Sequence, residues 1–228
     1  MADAPDLAAL GALIGDAARA RMLAALLDGR ALTATELALE AGVAPSTASS
    51  HLARLHAGAL VALARQGRHR YFRLAGREVA EMLEGLMNVA AGSGRRVTGP
   101  PDPELRRARV CYDHLAGEYG VGIYEHLKRR RLLDGGEDAL RLTRSGEAWA
   151  RALGIDVDAL RGQRRTLLRG CLDWSERRAH LAGAFGAALL ERLFTLRYAR
   201  RDPVGRAVAF TPRGAAFLQD LGVPVARR

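Results

Sequence analysis

The chain has 228 residues, of which 49% are hydrophobic and 26% charged, and it carries a net charge of +10 at pH 7. This composition excludes a disordered or fibrous protein, and the length suits one large domain or two small ones. No apolar run reaches the roughly 18–20 residues of a membrane span, and the acidic start MADAPDLAAL is unlike a signal peptide. Two cysteines, Cys111 and Cys171, do not make a disulfide framework. The sequence therefore predicts a cytoplasmic protein with reduced thiols and no membrane partner.

Short helices with recognisable caps are predicted in the N-terminal part of the chain. Leucines at helical spacing predict a first helix over 7–14. Asp16 is placed to cap a second helix, which ends at Gly29. Thr33-x-x-Glu36 is a capping-box pattern that opens a third helix.

A fourth helix and a basic hairpin follow. The tight turn 41–43 precedes the helix, Pro45 lies in its first turn, and Gly58 follows its end. Alternating side chains then predict strands over 60–65 and 68–74, joined by a turn at Gln66-Gly67. A helix, a tight turn, a second helix and a basic hairpin make the winged helix-turn-helix plan.

The run AGVAPSTASSHLARLHAGALVALARQGRHRYFRLA (41–75) resembles the DNA-binding core of the ArsR family of bacterial transcriptional regulators. The matching features are Ser49-x-His51-Leu52, Ala57-Gly58-x-Leu60-Val61, and Arg65-x-Gly67-Arg68. The resemblance covers residues 7–91 and implies a transcriptional regulator of double-stranded operator DNA, usually a repressor and a homodimer. Residues 1–91 carry 9 arginines and 9 acidic residues, but 44–77 hold 6 of the arginines and no acid. This local charge, and not the total, indicates DNA binding.

The DNA-reading surface is predicted on the fourth helix and the hairpin, where short donors and arginines suit bases and phosphates. Its residues are Ser46, Thr47, Ser49, Ser50, His51 and Arg54 on the helix, and Arg65, Gln66, Arg68, His69 and Arg70 on the hairpin. Each has an alternative interpretation. Serine and threonine also cap helices, His51 is also placed to pack on a neighbouring helix, and basic hairpins are often solvated sheet edges.

Apolar stripes over 7–14 and 77–90 are predicted to form the dimer interface, because two-fold symmetric operators need two recognition helices. The alternative is that they close the core of their own domain. Metal sites of the resembling family do not carry over. The third helix has Glu36-Leu37 without a following Cys-x-Cys, and 77–89 contains no histidine.

The chain is predicted to have two domains: a winged helix-turn-helix domain over 1–91 and a C-terminal domain over 104–228. Gly and Pro mark 92–103 as a linker between them. The C-terminal domain contains an internal repeat, since 114–131 aligns on 180–197 with 8 identities in 18 and 140–154 on 208–222 with 5 in 15. The fold class is therefore mostly α with short β-hairpins, with two tandem helix-hairpin-helix repeats over about 113–156 and 179–223.

Both cysteines precede the repeated histidines. We expect Cys111, His114, Cys171 and His180 to converge between the two repeats, although their spacings of 3 and 9 residues differ. Such a group could bind a thiophilic metal, act as a thiol redox switch, or belong to a small-molecule pocket with Asp113, Asp173 and Trp174. The alternative is a structural role, because free cysteines are usually buried and inert.

The leading hypothesis is a DNA-binding regulator, not an enzyme, whose C-terminal domain senses an effector. The sequence has no P-loop, Gly-x-Ser-x-Gly or His-Glu-x-x-His motif, and it does not indicate a particular cofactor. Two alternatives stay open. One is an enzyme that uses a Cys/His metal centre beside an accessory winged helix. The other is a regulator whose C-terminal domain only docks another protein.

Overall fold

The computed structural model describes residues 6–66, 69–93, 100, 102–136, 139–203 and 205–225. Two compact units meet in sequence between Leu86 and Met87. Helices predominate in both units, and the strands occur as short pairs plus one three-stranded sheet. Among these residues, no helix combines the length and apolar character needed to cross a bilayer.

The N-terminal unit is a set of short helices closed by an antiparallel sheet. Its helices are α1 (Leu7–Ile14), α2 (Ala17–Ala25), α3 (Ala34–Ala41), α4 (Pro45–Ala57) and the first part of α5 (Arg77–Ser93). Its strands are β1 (Leu32–Thr33), β2 (Val61–Gln66) and β3 (His69–Leu74). The sheet has the order β1-β3-β2, and β3 pairs with β2 in the register Val61 opposite Leu74. Gly67 of the predicted turn and Arg68 lie outside the described residues.

The helix starts follow the caps that the sequence predicts. The Asp16 carboxylate accepts hydrogen bonds from the Ala18 and Arg19 amides, 3.0 and 2.9 Å away. Thr33 and Glu36 form both hydrogen bonds of the capping box at the start of α3. These caps satisfy amides that have no partner within the helix, which is why short helices begin where they do.

The core of the N-terminal unit lies between α2, α3 and α4. Fully buried side chains there are Met22, Leu23, Leu26, Leu27, Leu37, Leu52 and Leu55. Helix α1 buries none of its residues. Arg19 is buried beside its end and donates to the carbonyls of Leu13 and Ala12 at 2.7 and 2.8 Å, so it caps α1 from a neighbouring helix.

The segment expected as a linker contains parts of two helices. Helix α5 continues to Ser93 instead of ending at residue 90, and α6 (Pro103–Arg107) begins at Pro103 with Asp102 as its N-cap. Proline is compatible with the first turn of a helix because its missing N–H has no partner there anyway. Residues 94–99 and 101 lie outside the described part of the chain.

The C-terminal unit has the same order of elements twice: hairpin, helix, hairpin, helix. The first set is β4 (Arg109–Cys111), β5 (His114–Ala116), α7 (Glu118–Arg129), β6 (Leu133–Asp134), β7 (Arg141–Leu142) and α8 (Arg144–Ala152). After α9 (Val157–Arg161), the second set is β8 (Arg169–Leu172), β9 (Ala179–Ala182), α10 (Gly183–Thr195), β10 (Ala199–Arg201), β11 (Val208–Phe210) and α11 (Pro212–Asp220).

Each set begins with a hairpin, β4–β5 or β8–β9, that the sequence did not predict. His114 and His180, which begin the two aligned segments, lie on strands β5 and β9 and not in the first helix of each predicted repeat. Strands of three and four residues are too short to show a period in the sequence, and the helices that follow carry the stronger pattern.

Gly120 and Gly186, at equivalent positions of the repeat, leave room for the backbone of a neighbouring strand. A Cβ on Gly120 would lie 2.5 Å from the Leu115 carbonyl oxygen, and one on Gly186 would lie 2.4 Å from that of Leu181. Each glycine therefore lets a helix, α7 or α10, pack directly on the strand before it.

Candidate functional site

The exposed face of α4 carries the polar side chains that the sequence predicts for DNA contact. Ala48, Leu52 and Leu55 are buried at helical spacing and fix which face points outward. The opposite face exposes Ser46, Thr47, Ser49, Ser50 and Arg54. Helix packing thus presents these side chains together.

The N-terminus of α4 has no side-chain cap. The N-cap residue is Ala44, and Ser49 donates its hydroxyl to the Pro45 carbonyl at 2.9 Å instead of serving the helix start. Amides at an uncapped helix N-terminus, together with the positive end of the helix dipole, are suited to bind phosphate. The alternative that Ser46 and Thr47 cap this helix therefore does not describe the structure.

His51 is the least accessible of the predicted DNA-contacting residues on α4. Its Nδ1 lies 3.2 Å from Nη1 of Arg19, and its Nε2 lies 3.9 Å from the Asp16 carboxylate. Only 15% of its side chain is exposed. These contacts favour the alternative that His51 packs against α2.

The hairpin β2–β3 places like charges side by side. Arg65 lies directly opposite Arg70, and Gln66 lies opposite His69. All four are exposed. Like charges at directly opposite positions destabilise a sheet, and an anionic partner relieves that repulsion. The hairpin is therefore suited to bind phosphate.

In the C-terminal unit, the structure brings Cys111, His114, Cys171 and His180 into one cluster. Their potential ligand atoms all lie within 4.8 Å of one another. Cys111 pairs directly with His114 across β4–β5, and Cys171 pairs with His180 across β8–β9. The unequal spacings of 3 and 9 residues therefore reflect two hairpin loops of different length around equivalent cross-strand pairs.

The two imidazoles meet at the centre of the cluster. Nε2 of His114 lies 3.1 Å from Nε2 of His180, and the ring centroids are 5.0 Å apart. The two residues are 5% and 1% exposed. Cys111 is also buried, and Cys171 is partly exposed.

A carboxylate lies near Nδ1 of each imidazole. Oδ1 of Asp113 lies 3.1 Å from Nδ1 of His114, and the other oxygen lies 2.9 Å from Nη1 of Arg165. Oδ2 of Asp173 lies 3.7 Å from Nδ1 of His180, slightly beyond hydrogen-bond range. In both cases the carboxylate faces the nitrogen that points away from the cluster.

Asp173 also forms a buried ion pair that the sequence analysis missed. Its Oδ1 accepts from Nη2 of Arg109 at 2.7 Å, and its Oδ2 accepts from the Gly117 amide at 2.7 Å. The Arg109 guanidinium lies over the ring of Trp174, 5.0 Å from its centroid. The sequence contained one indication of this pair, since Arg109 lies among the apolar residues of 108–111 and a buried arginine needs an anionic partner.

The contacts within the cluster favour the thiolate form of Cys171 and the charged form of His114. A hydrogen bond with the Cys111 thiol lowers the pKa of Cys171 most, and those with His114 and His180 lower it further against the effect of burial. Burial by itself lowers the pKa of His114, but Asp113 and the Cys171 sulfur outweigh it and raise that pKa. Burial likewise raises the pKa of Asp173, but Arg109, His180 and hydrogen bonds hold it well below its usual range.

A separate cavity of about 440 Å³ lies in the same unit. Tyr119, Val208 and Phe210 are among its lining residues, and none of the four Cys/His cluster residues lines it. The structure therefore does not place the cluster in that cavity.

The fold and the surface of α4 and the hairpin define a winged helix-turn-helix DNA-binding protein. Residues 16–61 match the model of the family described as "Bacterial regulatory protein, arsR family". The chain is 38% identical over 224 residues to the uncharacterized HTH-type transcriptional regulator YdfF of Bacillus subtilis strain 168, covering 97% of this chain and 99% of that protein. The chain belongs to the ArsR family of transcriptional regulators.

Further relatives match part of the chain. The HTH-type transcriptional regulator Rv0324 of Mycobacterium tuberculosis is 32% identical over 120 residues, 49% of this chain and 52% of that protein. A homodimeric winged helix-turn-helix domain from Mycobacterium bovis is 30% identical, covers 40% of this chain and 91% of its own, and has a TM-score of 0.34. The cadmium sensor CMTR from Mycobacterium tuberculosis is 33% identical, covers 43% and 99%, and has a TM-score of 0.33. The curated relatives are named as transcriptional regulators and not as enzymes, as expected from the sequence.

Proposed function

We propose that the chain is a dimeric, cytoplasmic transcriptional repressor that binds an operator and whose C-terminal domain senses an effector. Residues 1–91 would bind DNA and form the dimer interface. Residues 92–103 would link the two domains, and residues 104–228 would bind the effector. Two features support DNA binding most directly. The N-terminus of α4 has no side-chain cap and exposes hydroxyl groups, and the hairpin β2–β3 carries arginines and no acidic residue. Hydroxyls contact bases or phosphates, and arginines supply affinity for phosphate.

Exposed apolar side chains on the predicted dimer faces support self-association. Leu7 on α1 is 76% exposed and Leu86 on α5 is 45% exposed. Helix α1 buries none of its residues within the chain, so its leucines contribute little to the core of one protomer. A second copy is a suitable partner for such stripes, since a symmetric operator presents two half-sites.

Local details support a C-terminal domain made of two repeats. Arg131 and Arg197 both adopt a positive φ, at 52° and 56°. Thr143 and Thr211 both cap the helix that follows, each by accepting from a glycine amide. Equivalent backbone conformations at the aligned positions are what a duplicated module would retain. The effector site would then lie where the two copies meet, at the Cys/His cluster.

The test of DNA binding is fluorescence anisotropy of the full chain, at physiological salt, with the DNA upstream of its own coding sequence and with random DNA. We expect preferential binding to the upstream DNA. Thr47→Ala and Arg54→Ala should each weaken it, Thr47→Ala by about 1–3 kcal/mol if its hydroxyl or methyl reads a base.

Thr195→Ala is the matched control. Thr195 is an exposed helical threonine of the C-terminal unit, and its hydroxyl donates to the Glu191 carbonyl at 3.0 Å. Its substitution should leave binding unchanged. A dimer that binds upstream and random DNA equally, with no effect of Thr47→Ala, would contradict the proposed function.

A further inference from the structure

We propose that Cys111, His114, Cys171 and His180 form a closed, four-coordinate site for a divalent cation of the zinc type, and that this cation is the effector. The metal site rests on the geometry of the cluster alone. Its role as effector rests on the proposed function. The site differs in position and in ligands from the family's metal sites on the third helix and on the last helix of the N-terminal domain, whose ligands are absent from this sequence.

The donor set and its size suit such an ion. Two thiolates and two imidazoles in a tetrahedral arrangement favour zinc. Bond lengths of about 2.3 Å to sulfur and 2.0–2.1 Å to nitrogen place ligand atoms about 3.3–3.8 Å apart. The two Nε2 atoms are 3.1 Å apart, and all four ligand atoms lie within 4.8 Å of one another. Small shifts of side chains would close the cluster around an ion.

The carboxylates of Asp113 and Asp173 face the ring nitrogens that point away from the cluster, the first within hydrogen-bond distance and the second slightly beyond it. Asp113 faces Nδ1 of His114 and Asp173 faces Nδ1 of His180, which favours a proton on each Nδ1. Both Nε2 lone pairs then point at each other in a buried space. Two facing acceptors repel unless a proton or a cation lies between them, and a metal ion also engages both sulfurs.

The charge balance selects a divalent ion. The Asp113 carboxylate lies 2.9 Å from the Arg165 guanidinium and the Asp173 carboxylate lies 2.7 Å from that of Arg109, so the carboxylates already have cationic partners. Two thiolates add two negative charges in a largely buried space, and one divalent cation neutralises them. A monovalent ion such as Cu⁺ would leave one uncompensated buried charge, which is costly.

Binding would tie the two halves of the C-terminal unit together. Each hairpin, β4–β5 and β8–β9, supplies one cysteine and one histidine as a cross-strand pair. All four coordination positions are filled by protein, so no position stays open for a catalytic water. This geometry suits a site that stabilises one conformation, which is the property an effector needs.

The test is Co²⁺ titration of the full chain, stripped of metal and kept anaerobic. We expect one Co²⁺ per chain, the intense visible absorption of a tetrahedral ion and a thiolate-to-metal charge-transfer band in the near ultraviolet, with displacement by Zn²⁺. Cys111→Ser, Cys171→Ser and His114→Gln should each weaken binding at least 100-fold. His126→Gln, a histidine outside the cluster on α7, is the matched control and should bind as the wild type does.

A milder pair of variants covers the case in which ligand variants fail to fold. Asp113→Asn keeps all four ligands and should weaken Co²⁺ binding about 10–100-fold while preserving the tetrahedral spectrum. Asp134→Asn changes an exposed aspartate of the same unit and should have no effect. An octahedral spectrum, an unchanged affinity in Cys111→Ser, or a chain that forms a Cys111–Cys171 disulfide on mild oxidation without binding Co²⁺ would overturn the metal site.

The effector role has its own measurement. Zn²⁺ should change the affinity for the upstream DNA at least fivefold in the wild type and not in Cys171→Ser. If Co²⁺ binds as expected but Zn²⁺ leaves DNA affinity unchanged, the metal site stands and its role as effector is wrong. If the wild type shows no preference for upstream DNA, the proposed function fails while the Co²⁺ result stands by itself.

Discussion

At the scale of single residues, one buried carboxylate joins distant parts of the C-terminal unit. Asp173 contacts Arg109 from the first set of elements, the amides of Ser175 and Glu176 in its own loop, and the Gly117 amide at the start of α7. Its side chain is 0% exposed and that of Arg109 is 2% exposed. Loss of this carboxylate would therefore leave a buried guanidinium without its charged partner.

Asp173→Asn should lower the free energy of unfolding of the C-terminal unit by about 3–5 kcal/mol, because breaking one partner of a buried pair leaves an uncompensated charge. Urea unfolding followed by tryptophan fluorescence measures it, since Trp149 and Trp174 both lie in this unit. Asp134→Asn removes the exposed partner of Arg141 and is the control, with little change expected. Equal effects of the two substitutions would show that the buried pair has no special role.

At the scale of elements, the capping box of α3 makes helix stability depend on pH. A hydrogen bond from the Thr33 amide is the largest influence that lowers the pKa of Glu36 from its usual 4.5. A carboxylate whose pKa is lowered by folding stabilises the folded state above its unfolded pKa. That contribution is lost as the pH falls through the folded pKa.

Glu36→Gln isolates this charge, because glutamine retains the capping geometry. At pH 7 the wild type should be more stable than the variant by about 0.3–1 kcal/mol, and the difference should shrink as the pH falls below about 4.5. Hydrogen exchange of the α3 amides, corrected for intrinsic rates, measures it. Glu40→Gln removes the same charge near the other end of α3 and should not reduce protection. A difference that grows toward acidic pH would contradict the assignment.

The elements also show where sequence reasoning succeeds and where it stops. Asp16 and Thr33 accept hydrogen bonds from amides within a few residues, and Pro45 fits the first turn of α4 because no N–H is needed there. The helix starts of the N-terminal unit are therefore predictable. The hairpins β4–β5 and β8–β9 were missed because strands this short have no periodic signal. Arg109 and Asp173 are 64 residues apart, and only the folded chain brings them into contact. The four cluster residues were foreseen because the internal repeat relates the two histidines.

At the scale of the whole molecule, self-association is expected to depend on α1. Leu7→Asp should shift the chain from dimer to monomer, because a charge on the exposed apolar stripe is costly to bury between two protomers. Sedimentation equilibrium measures it over a range of protein concentrations. Leu39→Asp is the matched control, since Leu39 is 79% exposed on α3, outside the stripe. If both variants remain dimeric, α1 does not contribute to the interface.

The charge of the molecule is divided between a neutral DNA-binding segment and a basic remainder. Residues 1–91 carry equal numbers of arginines and acidic residues, so the whole net charge of +10 belongs to 92–228. A charged body attached to a DNA-binding domain attracts DNA at long range, and salt screens this attraction over a Debye length of about 8 Å at 0.15 M. The basic remainder should therefore affect the approach to DNA and not the choice of sequence.

The combined variant Arg144→Gln, Arg151→Gln and Arg200→Gln tests this division, because all three side chains are exposed in the C-terminal unit. At low salt it should slow association with upstream and random DNA by the same factor, at most about tenfold, and the effect should fade toward 0.15 M salt. Arg70→Ala on the hairpin should instead reduce the slope of log affinity against log salt by about 1, because it would remove one of the proposed phosphate contacts. Stopped-flow and equilibrium anisotropy separate the two behaviours. A combined variant that changes the preference between the two DNAs would show that the C-terminal arginines contact the operator itself.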